Sequence, residues 1–149
     1  MTPSAKKRSA QAASTQEFRA QVAALCYRNT ARGRQVLLIT SRDTGRWIIP
    51  KGWPINGLSG PQAALREAWE EAGVRCADIT HAPVGTYTYD KGLGDGKSVP
   101  VRATVYNALV TELAQQYPEV DERTRKWVTP HDAATLVNEP ELKAILRSF

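Results

Sequence analysis

Residues 19–27, 35–41 and 47–49 are short apolar runs bounded by Arg, Asn, Thr and Gly, and each is predicted as a strand. Further strands are predicted over 79–89 and 99–113, joined by a glycine-rich loop at 91–97, with a short one over 126–128. Residues 60–72 change period from two to between three and four. Leu65, Ala68, Trp69 and Ala72 return to one sector of a helix and form its expected core-facing stripe, while the acidic sector points away from the core. Ser59 followed three residues later by Gln62 is a capping box, Pro61 suits a first turn, and Gly73 sits where a helix-ending glycine belongs, so the helix is predicted over 60–72. Shorter helices are predicted over 132–137, with Asp132 as a candidate cap, and over 140–148. Periodicity alone gives an α/β or α+β fold.

Composition adds limits to this picture. The first sixteen residues are small and polar, cluster Lys6, Lys7 and Arg8, and show no apolar period, so a disordered basic tail is expected over 1–16 and one domain over 17–149. With 42% hydrophobic content in 149 residues, the chain can bury one sizeable core. No apolar run approaches the ~20 residues of a membrane span, and no secretory signal is seen, so a cytoplasmic protein without a membrane partner is expected. Cys26 and Cys76 lack metal-ligand spacing and are read as reduced, buried thiols; His81 and His131 are isolated and read as structural or solvent-facing. No heptad seam is present, and a monomer is expected.

The chemistry lies in the predicted helix. Glu67, Glu70 and Glu71 share one sector, where three carboxylates raise one another's pKa values unless a cation favours the ionised forms. Oxygen-only ligation points to Mg2+ or Mn2+ rather than zinc, and such an ion commonly joins carboxylates to substrate phosphates.

Gly52, Arg66-Glu67, Glu70-Glu71 and Gly73-Val74 follow the pattern G-x5-E-x7-R-E-U-x-E-E-x-G-U, in which Leu58 replaces the first glutamate. In this register the chain resembles the Nudix hydrolases. The flanking runs LLITSRDTGRWIIPKG and RTRKWVTPHDAATLV resemble the branch that acts on diphosphoinositol polyphosphates and diadenosine polyphosphates. The resemblance implies a mixed β-sheet sandwiched between helices and hydrolysis of a phosphoanhydride bond. It also implies Glu67 and Glu71 as metal ligands, with a backbone carbonyl of Lys51 or Gly52, and Glu70 as the base or water-orienting residue. Arg66 is either a surface ion pair with Glu70, four residues on, or the residue that orients the glutamates. Arg19, Arg42, Arg46, Lys51, Arg102, Arg123 and Arg125 occupy places that flank the site in that branch and suit a small polyphosphate substrate, with Thr40 and Ser41 as hydroxyl donors. Glu119 and Glu122, with Asp121 between them, are candidates for an extra ligand or base.

Three functions fit the sequence. The first is a metal-dependent pyrophosphohydrolase of dinucleoside or diphosphoinositol polyphosphates. The second is a hydrolase of nucleoside triphosphates or of the 5′ pyrophosphate of RNA, although no aromatic-basic pattern calls for a nucleic-acid partner. The third is a binding module of the same fold that has lost catalysis, for which Leu58 is the warrant.

Overall fold

The computed structural model describes residues 17–149; the tail expected to be disordered lies outside the described residues. The strands are β1 (Arg19–Thr30), β2 (Gly33–Thr40), β3 (Trp47–Ile48), β4 (Lys51–Gly52), β5 (Val74–Ile79), β6 (Gly85–Gly94), β7 (Lys97–Leu113) and β8 (Arg125–Val128); the helices are α1 (Gly60–Ala72), α2 (Pro130–Leu136) and α3 (Pro140–Arg147). The eight strands form one sheet with the path β3-β2-β1-β7-β5, in which β4 also pairs with β1, β6 with β7 and β8 with β2. β1 and β7 run parallel while the other pairs are antiparallel, so the sheet is mixed.

Helices cover both faces. Val22, Ala24 and Cys26 of β1 pack with Ala63, Ala64, Ala68 and Ala72 of α1, whereas Ala23 and Leu25 pack on the opposite face with Ala133, Ala134, Leu142 and Leu146 of α2 and α3. Successive residues of a strand point to opposite faces, so a strand covered on both sides is apolar throughout. The α1 face is built from alanines, which let the helix backbone lie close to the sheet and bring its carboxylates within reach of β4.

Helix α1 has the predicted bounds. The Ser59 hydroxyl accepts from the Gln62 amide, the Ser59 amide donates to Gln62 Oε1 at 2.8 Å, and Gly73 ends the helix in the left-handed region at φ 73°. The buried side, however, is Ala63, Ala64, Ala68, Ala72 and Glu71; Trp69, expected in the core, stands half-buried at its edge with the Arg75 guanidinium 6.0 Å from its ring centre. The acidic sector is likewise turned inward enough to leave Glu71 only 6% exposed.

Four other expectations change. The strand predicted over 79–89 is two strands that follow each other along β7, with Ile79 opposite Ala108 and Gly85 opposite Val105. Pro83 lies in the gap and has no amide for the ladder. The predicted 91–97 loop shrinks to a tight hairpin, because Asp95 (φ 53°) and Gly96 (φ 73°) supply the two positive φ angles that a type I′ turn requires. Helix α2 starts earlier than expected, with Thr129 rather than Asp132 as cap: its hydroxyl accepts from the Asp132 amide at 3.1 Å. Cys76 is exposed on β5, while Cys26 is buried as expected; both are free thiols. No helix of the described residues is long and apolar enough to cross a membrane.

Candidate active site

A cleft of about 390 Å³ opens between the start of β1, the end of β2, β4 and the acidic side of α1. β4 pairs with β1 through Val22 opposite Gly52 and Ala23 opposite Lys51, which fixes the β4 backbone beneath the helix. The Lys51 amide donates to Glu71 Oε1 at 3.3 Å. A Cβ on Gly52 would land on the Glu67 carboxyl, so only glycine lets that carboxylate lie against the strand.

Glu67 and Glu71 stand one turn apart on α1, and each holds its proton more tightly than a free carboxyl does. Burial pushes the Glu71 pKa up to about 8; the Arg123 guanidinium opposes that rise, and the Glu67 charge adds to it. Glu67 is also raised, first by burial and then by the charges of Glu70 and Glu119. The Lys51 ammonium is pushed down to about 8 by burial, against the pull of Glu71. It stands 5.0 Å above the ring of Tyr89, whose hydroxyl donates to Gln21. Arg123 is the hub of the opposite wall: it donates to Glu119 at 2.8 Å and to the Thr40 carbonyl at 3.0 Å, and lies 3.8 Å from Glu71.

Of the residues singled out in the sequence, Ser41, Arg42, Lys51, Gly52, Glu67, Glu71, Glu119 and Arg123 line the cleft. Glu122 holds Arg42 at 2.9 Å at its edge. Glu70 is half-buried beside the pair without lining the cleft, and its backbone carbonyl accepts from the Glu119 amide. Other residues are engaged elsewhere. Arg46 lies 2.8 Å from Glu139, Arg102 covers Phe18, and Arg125 donates to the carbonyls of Ala72 and Ala114; Arg19 is exposed outside the cleft. The Thr40 hydroxyl accepts from the Thr124 amide, so it ties the end of β2 to the residue before β8. Arg66 is exposed beside Trp69 and Arg75 in a separate shallow depression, and among the described residues no ion pair joins it to Glu70.

The cleft also contains residues that the sequence reading missed: Gln21, Asp43, Trp53, Tyr89 and Lys91. For Gln21 a signal existed, since a polar residue inside the apolar run AQVAALC is buried to 4% exposure and needs a partner. Asp43 and Lys91 carried no signal beyond their charge.

The donor set suits a hard divalent cation. The buried Glu71 carboxyl beside the half-buried Glu67 carboxyl, both with raised pKa values, is an arrangement in which a cation can take the place of bound protons, and Gly52 lets Glu67 lie against the β4 backbone. The pair is the extent of it: among the described residues no three His, Cys, Asp or Glu side chains form a preassembled ligand cluster.

The NUDIX domain model matches residues 18–149. Nudix hydrolase 16, mitochondrial, of Arabidopsis thaliana is 35% identical over 119 residues, which cover 77% of this chain and 65% of that protein. Human diphosphoinositol polyphosphate phosphohydrolase 3-alpha is 31% identical over 119 residues, covering 78% of this chain and 67% of the relative. The matches thus span about two thirds of these relatives' length. Among solved structures, a binary complex of a C. elegans Ap4A hydrolase aligns with a TM-score of 0.64 at 25% identity, covering 89% of this chain and 95% of that chain.

Proposed function

Since the chain belongs to the NUDIX domain family, we propose that it is a Mg2+- or Mn2+-dependent hydrolase that cleaves a phosphoanhydride bond of a small, highly phosphorylated substrate, from the dinucleoside polyphosphate or diphosphoinositol polyphosphate class. The observation that carries this reading is the Glu67–Glu71 pair, the half-buried Glu67 lying against the Gly52 backbone and the buried Glu71 beside it, both lining an open cleft. Glu67 and Glu71 would hold the cation, with a carbonyl of Lys51 or Gly52. A divalent ion bound there supplies positive charge to phosphate oxygens and makes water a stronger acid.

The protein's own groups divide the remaining work. Water forms the new bond to phosphorus, the bridging P–O bond breaks, and the bridging oxygen leaves with the other phosphate. Glu70 takes the proton lost by water; Glu119, which unlike Glu70 lines the cleft, is the second candidate for it. Lys51 holds phosphate oxygens, Arg42 and Arg123 add positive charge to that wall from within their glutamate pairs, and Ser41, just after β2, adds a hydroxyl.

The test is hydrolysis of a polyphosphate panel by the full chain with and without Mg2+ or Mn2+. Metal-dependent release of phosphate or mononucleotide is expected, and Glu70→Gln and Glu71→Gln should each slow turnover by at least ~10²-fold. Near-normal rates in both variants overturn the assigned roles, and a normal Glu70→Gln with a slow Glu119→Gln moves the base to Glu119.

A further inference from the structure

Trp53 is a large aromatic side chain left 40% exposed in a cleft whose other walls are largely charged. The chain around it explains why it stays there. Ile55 and Leu58 are half-buried and pack on the core beneath α1, the Leu58 amide donates to the Ile55 carbonyl at 3.0 Å, and Gly57 takes a φ of 86° to close the turn. Residues 53–58 are therefore pinned at two points and lead directly into the capped start of α1, while Pro54 restricts the backbone next to Trp53. Leu58, the departure from the family pattern, is one of those two anchors. With Ile48, Pro54 and Ile55, Trp53 gives the cleft one apolar side.

The charges point the same way. Four basic and four acidic side chains line the cleft, and two of the basic ones, Arg42 and Arg123, are already paired with glutamates. An inositol polyphosphate carries phosphates around its whole ring and has no flat apolar face, so it calls for a wall of unpaired cations. A nucleoside polyphosphate confines its charge to one end and offers an uncharged π face at the other, which matches an exposed indole beside a metal-binding carboxylate pair.

We propose that Trp53 is the stacking platform for a nucleobase, and that the site takes dinucleoside polyphosphates in preference to diphosphoinositol polyphosphates. The proposal rests on the hydrolase reading above for its turnover arm, but its binding arm does not. Trp53 is a binding residue: it acts on affinity for the base and on no step of bond cleavage.

The experiment compares the wild-type chain, Trp53→Ala and Trp53→Phe with Mg2+. In the turnover arm, KM for diadenosine tetraphosphate should rise about tenfold in Trp53→Ala with kcat within about threefold, and Trp53→Phe should recover most of the loss. The ratio of kcat/KM for diadenosine tetraphosphate over a diphosphoinositol pentakisphosphate should fall by a similar factor. In the binding arm, adenosine 5′-monophosphate should quench tryptophan fluorescence of the wild type, lose most of that quenching in Trp53→Phe, and bind about tenfold more weakly to Trp53→Ala by calorimetry. A wild type that prefers the diphosphoinositol substrate overturns the inference and leaves the hydrolase standing, as does a Trp53→Ala variant with unchanged KM. A chain that cleaves neither substrate overturns the hydrolase reading, and the binding arm then decides the platform by itself.

Discussion

At the scale of single residues, the site depends on how closely a carboxylate can approach a backbone. Gly52 has no side chain where any Cβ would strike the Glu67 carboxyl. Gly52→Ala should therefore leave the fold intact while displacing Glu67, with metal affinity lower by about tenfold or more and turnover reduced to match, as measured by Mn2+ titration alongside circular dichroism. Glu71 gives a second prediction. Its pKa is raised to about 8 in the folded protein from an ordinary 4.5, chiefly by burial, so between those values the folded state binds more protons than the unfolded one. The stabilisation is complete below about pH 4.5, and it is lost as pH rises through about 8. The metal-free protein should accordingly lose stability between pH 5 and pH 8, by an amount of the order of a few kcal/mol. Mg2+ should raise Tm more at pH 8 than at pH 5, since at pH 5 the ion must displace the proton that Glu71 holds. Equal Mg2+ effects at both pH values would contradict a Glu71 that holds its proton at pH 5 and binds the ion in its place.

At the scale of elements, α1 and the loop before it set where the carboxylates stand. Ser59→Ala removes half of the capping box and should cost ~1 kcal/mol in denaturant unfolding. Leu58→Glu, which restores the residue usual in the family pattern, should cost more, about 1–3 kcal/mol, because it sets a charge among Leu58's core neighbours and frees one anchor of the Trp53 loop. The bounds of α1 were legible in the sequence because Ser59, Gln62, Pro61 and Gly73 each act on the backbone within one turn. Its buried face was legible only in part: Ala68 and Ala72 were read as core-facing, but Ala63, Ala64 and Glu71 were not, since alanines and a glutamate look less core-like than Leu65 and Trp69. Alanine faces inward here because the helix lies close to the sheet, which is a property of the fold rather than of the local period. The same division holds in the strands: the Asp95-Gly96 turn and the break at Pro83 come from local chemistry that the broader apolar pattern hid, and β4 is two residues long and exists only through its pairing with β1. In the site, the carboxylates were readable from helical spacing. The sorting of the arginines was not, because it depends on which acid or carbonyl each one meets across the sheet.

At the scale of the whole molecule, Arg46 shows how such sorting changes a role. The sequence places it among the cations flanking the substrate; the structure sets its guanidinium 2.8 Å from Glu139, so the turn after β2 is tied to the start of α3 on the face opposite α1. Glu139 is almost fully buried at 5% exposure, its Oε1 has no hydrogen-bond partner, and the close Arg46 Nη1 contact is not aligned as a hydrogen bond. The pair is thus held by charge in a poorly solvated setting, where losing one partner strands the other. Arg46 keeps 29% exposure and recovers some solvation, so Glu139→Ala should cost about 2–3 kcal/mol, less than for a fully buried pair. Arg46→Ala leaves the more buried partner alone and should cost at least as much. If the pair is architectural, both variants lower the denaturation midpoint together and keep kcat/KM within a few-fold of wild type at a temperature where they are folded. If Arg46 instead contacts the substrate, Arg46→Ala alone loses at least tenfold in kcat/KM, an effect that Glu139→Ala does not reproduce. The double variant separates these outcomes further: coupled residues give a combined loss of stability well below the sum of the single losses, whereas two independent sites add.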